Sequence, residues 1–319
     1  MKQNKRKFRC LLIAGIVAGV CAAGWAGAHL LVHHSLSGYQ RLSDKTVSVS
    51  WEEKPFLCYL SGIEGKEVLS EKEVRYSDVN LLAAVDPKKH TILLVNTPRD
   101  TLLTVPKTAK AGEAAGAPEK LDAMPLYGKR ASIKALSSFY DTKIDCSVQV
   151  NYNVLKKVVN TLGGVNVYSE CDFESDWGPS FQKGRNHVNG RQALAFVRER
   201  HHLPDGDVQR GRNQQYMLQA ILDQVKSQKS LFTYYKLFKC TQNGTATDLS
   251  AGSLEKLLKW QYKDRKKWKI ERVTLQGEQS AAVTNSSGGQ EIYAYLPSEE
   301  SQKDICEQLK NILSHTRGD

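Results

Sequence analysis

The 319-residue sequence lacks the short motifs that identify several large enzyme classes. It contains no G-x-S-x-G, no H-E-x-x-H, no phosphate-binding P-loop and no G-x-G-x-x-G. These absences argue against an α/β-hydrolase, a zincin protease, a P-loop NTPase and a Rossmann-type dinucleotide-binding domain. No internal repeat and no helix-turn-helix signature are visible. A functional site must therefore come from residues that are distant in sequence and that the fold brings together.

Cysteine is too irregularly placed for a disulfide framework. The sequence has seven cysteines, an odd number, and no C-x-x-C pair. Two of them, Cys10 and Cys21, lie in an apolar N-terminal run. The other five are widely separated: Cys58, Cys146, Cys171, Cys240 and Cys306. One bridge is compatible with a location outside the cell, and buried free thiols are the alternative.

The N-terminal segment combines a basic cluster with a long apolar run. The first nine residues carry five basic side chains and no acid, and His29 is the one charge-capable side chain from Cys10 to Val32. As a helix, residues 10–32 would span about 34 Å, enough to cross a hydrocarbon core of about 30 Å. The basic cluster predicts a cytoplasmic tail at 1–9, a single-pass anchor at 10–32 and a folded part outside the cell membrane. A signal peptide cleaved near Ala26-Gly27-Ala28 is the alternative.

The net charge favours polyanionic partners. The formal net charge is +11, and five of the basic residues lie in the first nine positions. The surplus that remains in the rest of the chain fits nucleic acid, anionic lipid or a phosphate-bearing polymer. A folded part outside the cell argues against nucleic acid.

Apolar runs and turn residues predict alternating strands and helices after a short polar stalk at 33–54. Strands are expected at 56–60, 79–85, 91–95, 146–150, 165–168 and 270–275, with a hairpin turn at 86–89 and loops at 107–119 and near 285. Helices are expected at 132–140, from an Asn153 cap to Leu162, from Asn189 or Gly190, after Gly211, at 254–260 and at 299–313. Alternating elements of this kind predict an α/β fold, an α-β-α sandwich with a central mixed sheet flanked by helices.

Arginine beside carboxylate recurs at the ends of the apolar runs. Arg99-Asp100 follows a strand, and Arg198-Glu199-Arg200 follows a helix. Arg210 and Gln214 share one helical face because they are four residues apart. Several arginines together would bind a pyrophosphate, and nearby carboxylates indicate a divalent metal. Arg198 and Arg200 can face one site only if their helix ends near Val197.

Seven motifs in a fixed order resemble the LytR-CpsA-Psr family of wall-polymer ligases. They are Ser61-Gly62-Ile63-Glu64, Ser77-Asp78-Val79-Asn80, Pro98-Arg99-Asp100, Lys120-Leu121-Asp122, and the stretches 160–167, 189–200 and 205–214. The likeness is strong over 55–230, and we expect one extracytoplasmic domain over 55–319.

The resemblance implies a sheet between helices, an apolar tunnel for a polyprenyl tail and a polar mouth. It also implies transfer of a glycopolymer, such as teichoic acid or capsule, from undecaprenyl pyrophosphate to a peptidoglycan hydroxyl with the help of Mg²⁺. The implied pyrophosphate ligands are Arg99, Lys120, Arg198, Arg200, Arg210 and Gln214. The implied metal ligands are Asp78 and Glu64. Arg99, Asp78 and Asp100 form the implied catalytic group, in which Asp100 orients Arg99 and Asp78 can accept a proton.

Two positions depart from the family pattern. Glu64 stands where the family usually has aspartate, and Tyr76 stands where it usually has arginine, with Arg75 one place earlier. A family member that binds polyprenyl pyrophosphate or wall polymer without transfer is therefore an alternative. His187, His201 and His202 lie near the motifs and are interpreted as surface residues rather than as a general base.

Overall fold

The structure is a computed structural model that describes residues 39–42, 46–64, 76–228, 230–263 and 266–314. The predicted cytoplasmic tail and membrane anchor, and Arg75, lie outside the described residues. Within the described ranges, no helix is both long enough and apolar enough to cross a bilayer.

The chain forms fifteen described strands and seven described α-helices. The strands are β1 (Gln40–Arg41), β2 (Phe56–Ile63), β3 (Ser77–Asp86), β4 (Thr91–Asn96), β5 (Leu102–Thr104), β6 (Pro118–Lys120), β7 (Cys146–Asn151), β8 (Val165–Ser169), β9 (Phe173–Glu174), β10 (Ser180–Phe181), β11 (Gly184–Val188), β12 (Thr245–Thr247), β13 (Lys269–Thr274), β14 (Gly277–Val283) and β15 (Glu291–Pro297). The helices are α1 (Ala131–Phe139), α2 (Tyr152–Thr161), α3 (Gly190–Arg198), α4 (Gly206–Ser227), α5 (Leu231–Thr241), α6 (Ala251–Lys263) and α7 (Glu299–Leu313).

Seven strands form one mixed sheet in the order β1-β12-β7-β2-β3-β4-β13. β2 is parallel to β7, and β4 is parallel to β13. β3 runs antiparallel between β2 and β4, as the predicted hairpin around 86–89 requires. The carboxyl ends of β2, β4, β7 and β13 therefore lie at one edge of the sheet, together with the start of β3.

Both faces of the sheet are covered, and the predicted sandwich with a central mixed sheet is confirmed. Side chains alternate along β2, so Leu57 and Tyr59 pack with α1 and α7 on one face. Phe56 and Cys58 point to the other face, where Trp51 and Leu254 pack. A third apolar cluster joins α2, α3 and α4 to β8 and β11.

Helix boundaries follow capping chemistry closely. α3 begins behind Asn189, whose side chain accepts from the Arg191 and Gln192 backbone N–H groups in a capping box. The expected cap at Asn153 is wrong, because Asn151 accepts the Val154 N–H at 3.0 Å and the helix begins at Tyr152. α7 spans the predicted residues 299–313.

The expected helix start after Gly211 is also wrong. α4 begins at Gly206, and Gly211 lies inside it. A Cβ atom at position 211 would lie 2.0 Å from Asn96 Nδ2. Glycine is required there because α4 approaches the end of β4 closely.

Three segments differ from the local predictions. The described part of the predicted stalk packs onto the domain, since β1 pairs with β12 and Val49 and Trp51 are buried. The predicted loop at 107–119 contains a 3-10 turn at Gly112–Ala114 and ends in β6, which pairs with β5. The β14–β15 hairpin surrounds the expected loop near 285 and was not predicted.

Candidate functional site

The polar motifs meet at the edge of the sheet where β2, β4 and β7 end. Glu64 directly follows β2, and Tyr152 directly follows β7. Arg99 lies three residues beyond β4, and Asp78 is the second residue of β3. The antiparallel direction of β3 explains why a residue at its start joins residues at the ends of its neighbours.

Three carboxylates surround Arg99. Its guanidinium forms an ion pair with Asp78, another with Asp122 at 2.8 Å, and a longer one with Asp100 at 3.7 Å. Burial alone would lower the pKa of Arg99, but the Asp122, Asp78 and Asp100 charges raise it. Lys120 Nζ donates to Asp100 Oδ1 at 2.8 Å, so Asp100 links two predicted pyrophosphate ligands.

Asp122 is a site residue that the sequence interpretation did not select, although it belongs to one of the quoted motifs. Its side chain is almost fully buried against Arg99. Burial raises the pKa of Asp122 to about 6, against the opposing effect of Arg99 and Lys120. Asp122 therefore titrates near pH 6 while it contacts Arg99.

This pKa predicts a pH-dependent step near 6. The folded-state pKa of Asp122 lies above the ordinary value of 3.8, so ionisation of this carboxyl destabilises the fold. The free energy of unfolding therefore falls as pH rises from about 4 to about 6. Asp122→Asn should remove this fall, on the order of 2–3 kcal/mol. Urea unfolding of both proteins at pH 4.5 and pH 7 checks it. A parent-minus-variant difference that is the same at both pH values would contradict this prediction.

Helix α3 ends near Val197, as a shared site for Arg198 and Arg200 requires. Its last residue is Arg198, and Glu199 is extended at φ −60° and ψ 137°. This confirms the predicted end of the helix. The Arg198 guanidinium lies 5.2 Å from the Tyr152 ring centre and 4.7 Å from that of Trp177. Arg198 Nη2 also donates to Glu64 Oε1 at 3.0 Å. Two aromatic rings and an acid thus fix its direction.

Buried Glu199 fixes the chain that follows the helix. Its carboxylate accepts backbone N–H groups from Asp176 at 2.8 Å and from each of the next three residues, Arg200, His201 and His202. Burial raises its pKa, but these four N–H groups outweigh burial and lower it overall. Glu199 stays charged and ties the 199–202 segment to the turn at 176.

The start of α4 adds Arg210 to the basic side chains at this edge of the sheet. Arg210 is buried and forms an ion pair with Asp207. Burial raises the pKa of Asp207, while Arg210, Arg99 and Arg200 oppose that rise. Arg210 contacts Asp207 directly, and Arg99 and Arg200 act on it electrostatically without a direct contact. Gln214, one turn after Arg210, is buried with its Nε2 donating to the Val197 carbonyl at 3.3 Å.

Tyr152 contacts both Asp78 and Arg198, and the sequence interpretation did not predict it. Its hydroxyl donates to Asp78 Oδ2 at 2.9 Å. Burial and the neighbouring Asp78 charge raise the pKa of Tyr152, while Arg210 and Arg198 lower it. No periodic pattern marks this tyrosine, because its role depends on strand β3 coming to lie nearby.

A largely apolar cavity of about 450 Å³ lies against one face of the sheet. Sheet residues Leu60, Ala83, Leu94 and Val150 line one side. Val154 and Val158, on the helix that begins with Tyr152, line another. The cavity therefore adjoins the helix that contributes Tyr152 to the basic cluster.

The two predicted metal ligands are chemically suited to Mg²⁺. Glu64 and Asp78 lie at adjoining strand ends, because Gly62 pairs with Val79 and Ile63 with Ser77. Both offer carboxylate oxygens, which Mg²⁺ prefers. Asp78 contacts Arg99 and Tyr152, and Glu64 contacts Arg198, so each carboxylate also orients a predicted site residue.

Comparisons with known proteins show which family the chain resembles. A model of the LytR_cpsA_psr family matches residues 33–311. The polyisoprenyl-teichoic acid–peptidoglycan teichoic acid transferase TagU of Bacillus subtilis (strain 168) is 27% identical over 98% of each chain.

Solved structures share the fold. The crystal structure of B. subtilis TagV is 27% identical, covers 83% of this chain and 99% of its own, and has a TM-score of 0.66. Protein gbs0355 from Streptococcus agalactiae is 24% identical over 83% of this chain and 90% of its own, with a TM-score of 0.70. The mixed sheet with its flanking helices is the fold these proteins have in common.

Proposed function

The chain belongs to the LytR-CpsA-Psr family, and on that premise we propose that it is a phosphotransferase of cell-wall biogenesis. It would move a glycopolymer from an undecaprenyl-pyrophosphate donor to a hydroxyl of peptidoglycan. The observation that carries the proposal is the contact network at one edge of the sheet, in which Asp78 pairs with Arg99 and accepts from Tyr152, whose ring lies under Arg198. The helix that begins with Tyr152 also lines the apolar cavity. The family relative TagU, named as a teichoic acid transferase, supports the same reaction class.

The basic cluster suits a pyrophosphate. Guanidinium groups bind phosphate oxygens in a bidentate manner and keep their charge at any physiological pH. Arg99 Nε is buried beside Asp100, but the Arg99 side chain as a whole is 25% exposed, so an incoming anion can reach its guanidinium. Lys120, Arg198 and Gln214 border the same region and would complete the set.

The cavity suits the lipid part of such a donor. A polyprenyl chain is apolar, and each buried CH₂ group contributes about 0.8 kcal/mol. A donor whose pyrophosphate binds near Tyr152 would place its tail along Val154 and Val158. We propose that the predicted anchor at 10–32 holds the domain at the outer side of the cytoplasmic membrane, where such lipids reside.

In the proposed reaction, an acceptor hydroxyl attacks the phosphorus that carries the polymer. A new P–O bond forms to the acceptor, the bridging P–O bond of the pyrophosphate breaks, and undecaprenyl phosphate leaves. Arg99, Arg200 and Arg210 stabilise the charge that builds on the transferring and leaving phosphates. Asp78 would accept the hydroxyl proton, and Asp100 would orient Arg99.

Glu64 and Asp78 would hold Mg²⁺. The ion would supply positive charge to the phosphate oxygens and lower the barrier electrostatically. In the structure Arg198 contacts Glu64. If Glu64 bound Mg²⁺ instead, Arg198 would be free to turn towards the donor.

A binding protein without transfer activity is the second candidate function. Tyr76, which stands at the position where the family usually has arginine, is 51% exposed and contributes no positive charge. A single-turnover assay decides between the two. The full chain is incubated with a lipid-pyrophosphate-linked glycopolymer, peptidoglycan and Mg²⁺. Covalent polymer on peptidoglycan together with released polyprenyl phosphate supports transfer, whereas donor binding without either product supports the binding role.

A further inference from the structure

A second polar cluster lies beside the basic site and takes no part in the proposed reaction. It joins Asp176, in the turn between β9 and β10, to His201 and His202 after α3. His201 Nδ1 lies 2.7 Å from Asp176 Oδ2, and His202 Nδ1 lies 3.4 Å from Asp176 Oδ1. The three side chains are 37–61% exposed, so ions in solution can reach them.

Buried Glu199 fixes this cluster in place. Its four backbone hydrogen bonds fix the main chain of both segments that carry the cluster. Donor atoms of Asp176, Glu199 and His201 lie within 4.8 Å of one another. Glu199 Oε1 already accepts three N–H groups, so it contributes negative charge 3.4 Å from His202 Nδ1 rather than a bond to a metal.

We infer that Asp176, His201 and His202 form a binding site for a transition-metal ion of the Zn²⁺ class. Two imidazoles and one carboxylate are the mixed nitrogen and oxygen donors that Zn²⁺ takes, whereas Mg²⁺ prefers oxygen. In tetrahedral Zn²⁺ coordination, neighbouring donors lie about 3.3 Å apart. The two His–Asp separations lie within about 0.6 Å of that distance, each to a different Asp176 oxygen, so the exposed His202 side chain would turn for both imidazoles to reach one ion. Solvent can occupy the remaining position.

Metal binding at this site would change the surroundings of Arg200. In the structure, Arg200 Nε donates to His201 Nε2 at 3.2 Å, so Nε2 is the acceptor and Nδ1 carries the proton. An imidazole that binds a metal through Nδ1 carries its proton on Nε2 instead. The Arg200–His201 hydrogen bond is then lost, and Arg200 must move. This consequence rests on the proposed function of Arg200, whereas metal binding does not.

Zinc titration of the full chain in detergent, without a polyhistidine tag and in a large excess of Mg²⁺, tests the site. We expect one Zn²⁺ to bind, and His201→Ala and His202→Ala each to weaken binding at least tenfold. His187→Ala is the matched control, since His187 is an exposed histidine whose Nδ1 contacts Asn166. Equal zinc affinity in the parent and in the His201 and His202 variants would overturn the inference.

Transfer rates with and without Zn²⁺ test the link to Arg200. We expect zinc to slow the parent and the His187→Ala control but not the His202→Ala protein. A parent rate that zinc leaves unchanged would overturn the link. A parent that binds zinc but transfers no polymer in Mg²⁺ alone would instead overturn the proposed function and leave the metal site standing.

Discussion

Arg99→Ala is expected to lower the single-turnover transfer rate by about 10²–10³. Asp78, Asp100 and Asp122 all contact Arg99, so three carboxylates hold its guanidinium in place. Removal of one preorganised charge that stabilises a transition state typically costs this much. The rate of polymer transfer to peptidoglycan, measured with saturating donor, checks the prediction.

The loss must be separated from damage to the fold. Without Arg99, Asp122 would remain buried without its main counter-charge, and such a group destabilises a protein. Arg99→Ala combined with Asp122→Asn should recover stability but not activity. Arg191→Ala, which removes an exposed arginine from α3, should retain the parent rate. An Arg99→Ala protein that turns over like the parent would remove Arg99 from the reaction.

Ala83→Phe is expected to weaken the binding of a long-chain polyprenyl donor by a factor of roughly 10²–10³. Ala83 lies between Cys58 and Leu94 in the sheet, and its methyl group faces the apolar cavity. A phenyl ring there would displace about one five-carbon isoprene unit. At about 0.8 kcal/mol per CH₂ group, that displacement costs up to about 4 kcal/mol of binding. Equilibrium binding of donors with long and short prenyl chains measures the effect.

Chain length makes this test specific to the cavity. A donor with only two isoprene units need not extend as far, so Ala83→Phe should affect it much less. Ala83→Val, with a smaller side chain, should give an intermediate loss for the long donor. Equal losses for both donors would show that the lipid does not occupy this cavity. Thermal unfolding of each variant, compared with the parent, confirms that the sheet remains intact.

Local signals predicted the elements well where chemistry acts over a few residues. The turn at 86–89, the helix start at Asn189 or Gly190 and the α7 bounds all depend on neighbours in sequence, and they appear as expected. The β14–β15 hairpin was missed because its strands are largely solvent-exposed and carry no strong apolar alternation. Gly211 was read as a boundary, although its role is to permit contact with Asn96.

The site could be predicted only in part, because many of its contacts join residues that are distant in sequence. Arginine next to carboxylate at element ends is visible in the sequence, and it led to Arg99, Arg198 and Arg210. Which acid meets which arginine depends on strand order. Tyr152 reaches Asp78 because β3 lies antiparallel between β2 and β4. Asp122 reaches Arg99 because β6 pairs with β5 and the Asp122 N–H donates to the Arg99 carbonyl at 2.9 Å. Trp177 stacks on Arg198 through a turn that no local pattern marks.

The β14–β15 hairpin ties the C-terminal region to the centre of the basic cluster. Tyr295 N donates to the Asp100 carbonyl at 2.9 Å, and Tyr295 also bridges to Thr101. Tyr293, on the same strand, is exposed near Asp100 and Asp207. Substitutions or length changes in this hairpin are therefore expected to shift Asp100, the residue next to Arg99, through the Tyr295–Asp100 main-chain hydrogen bond.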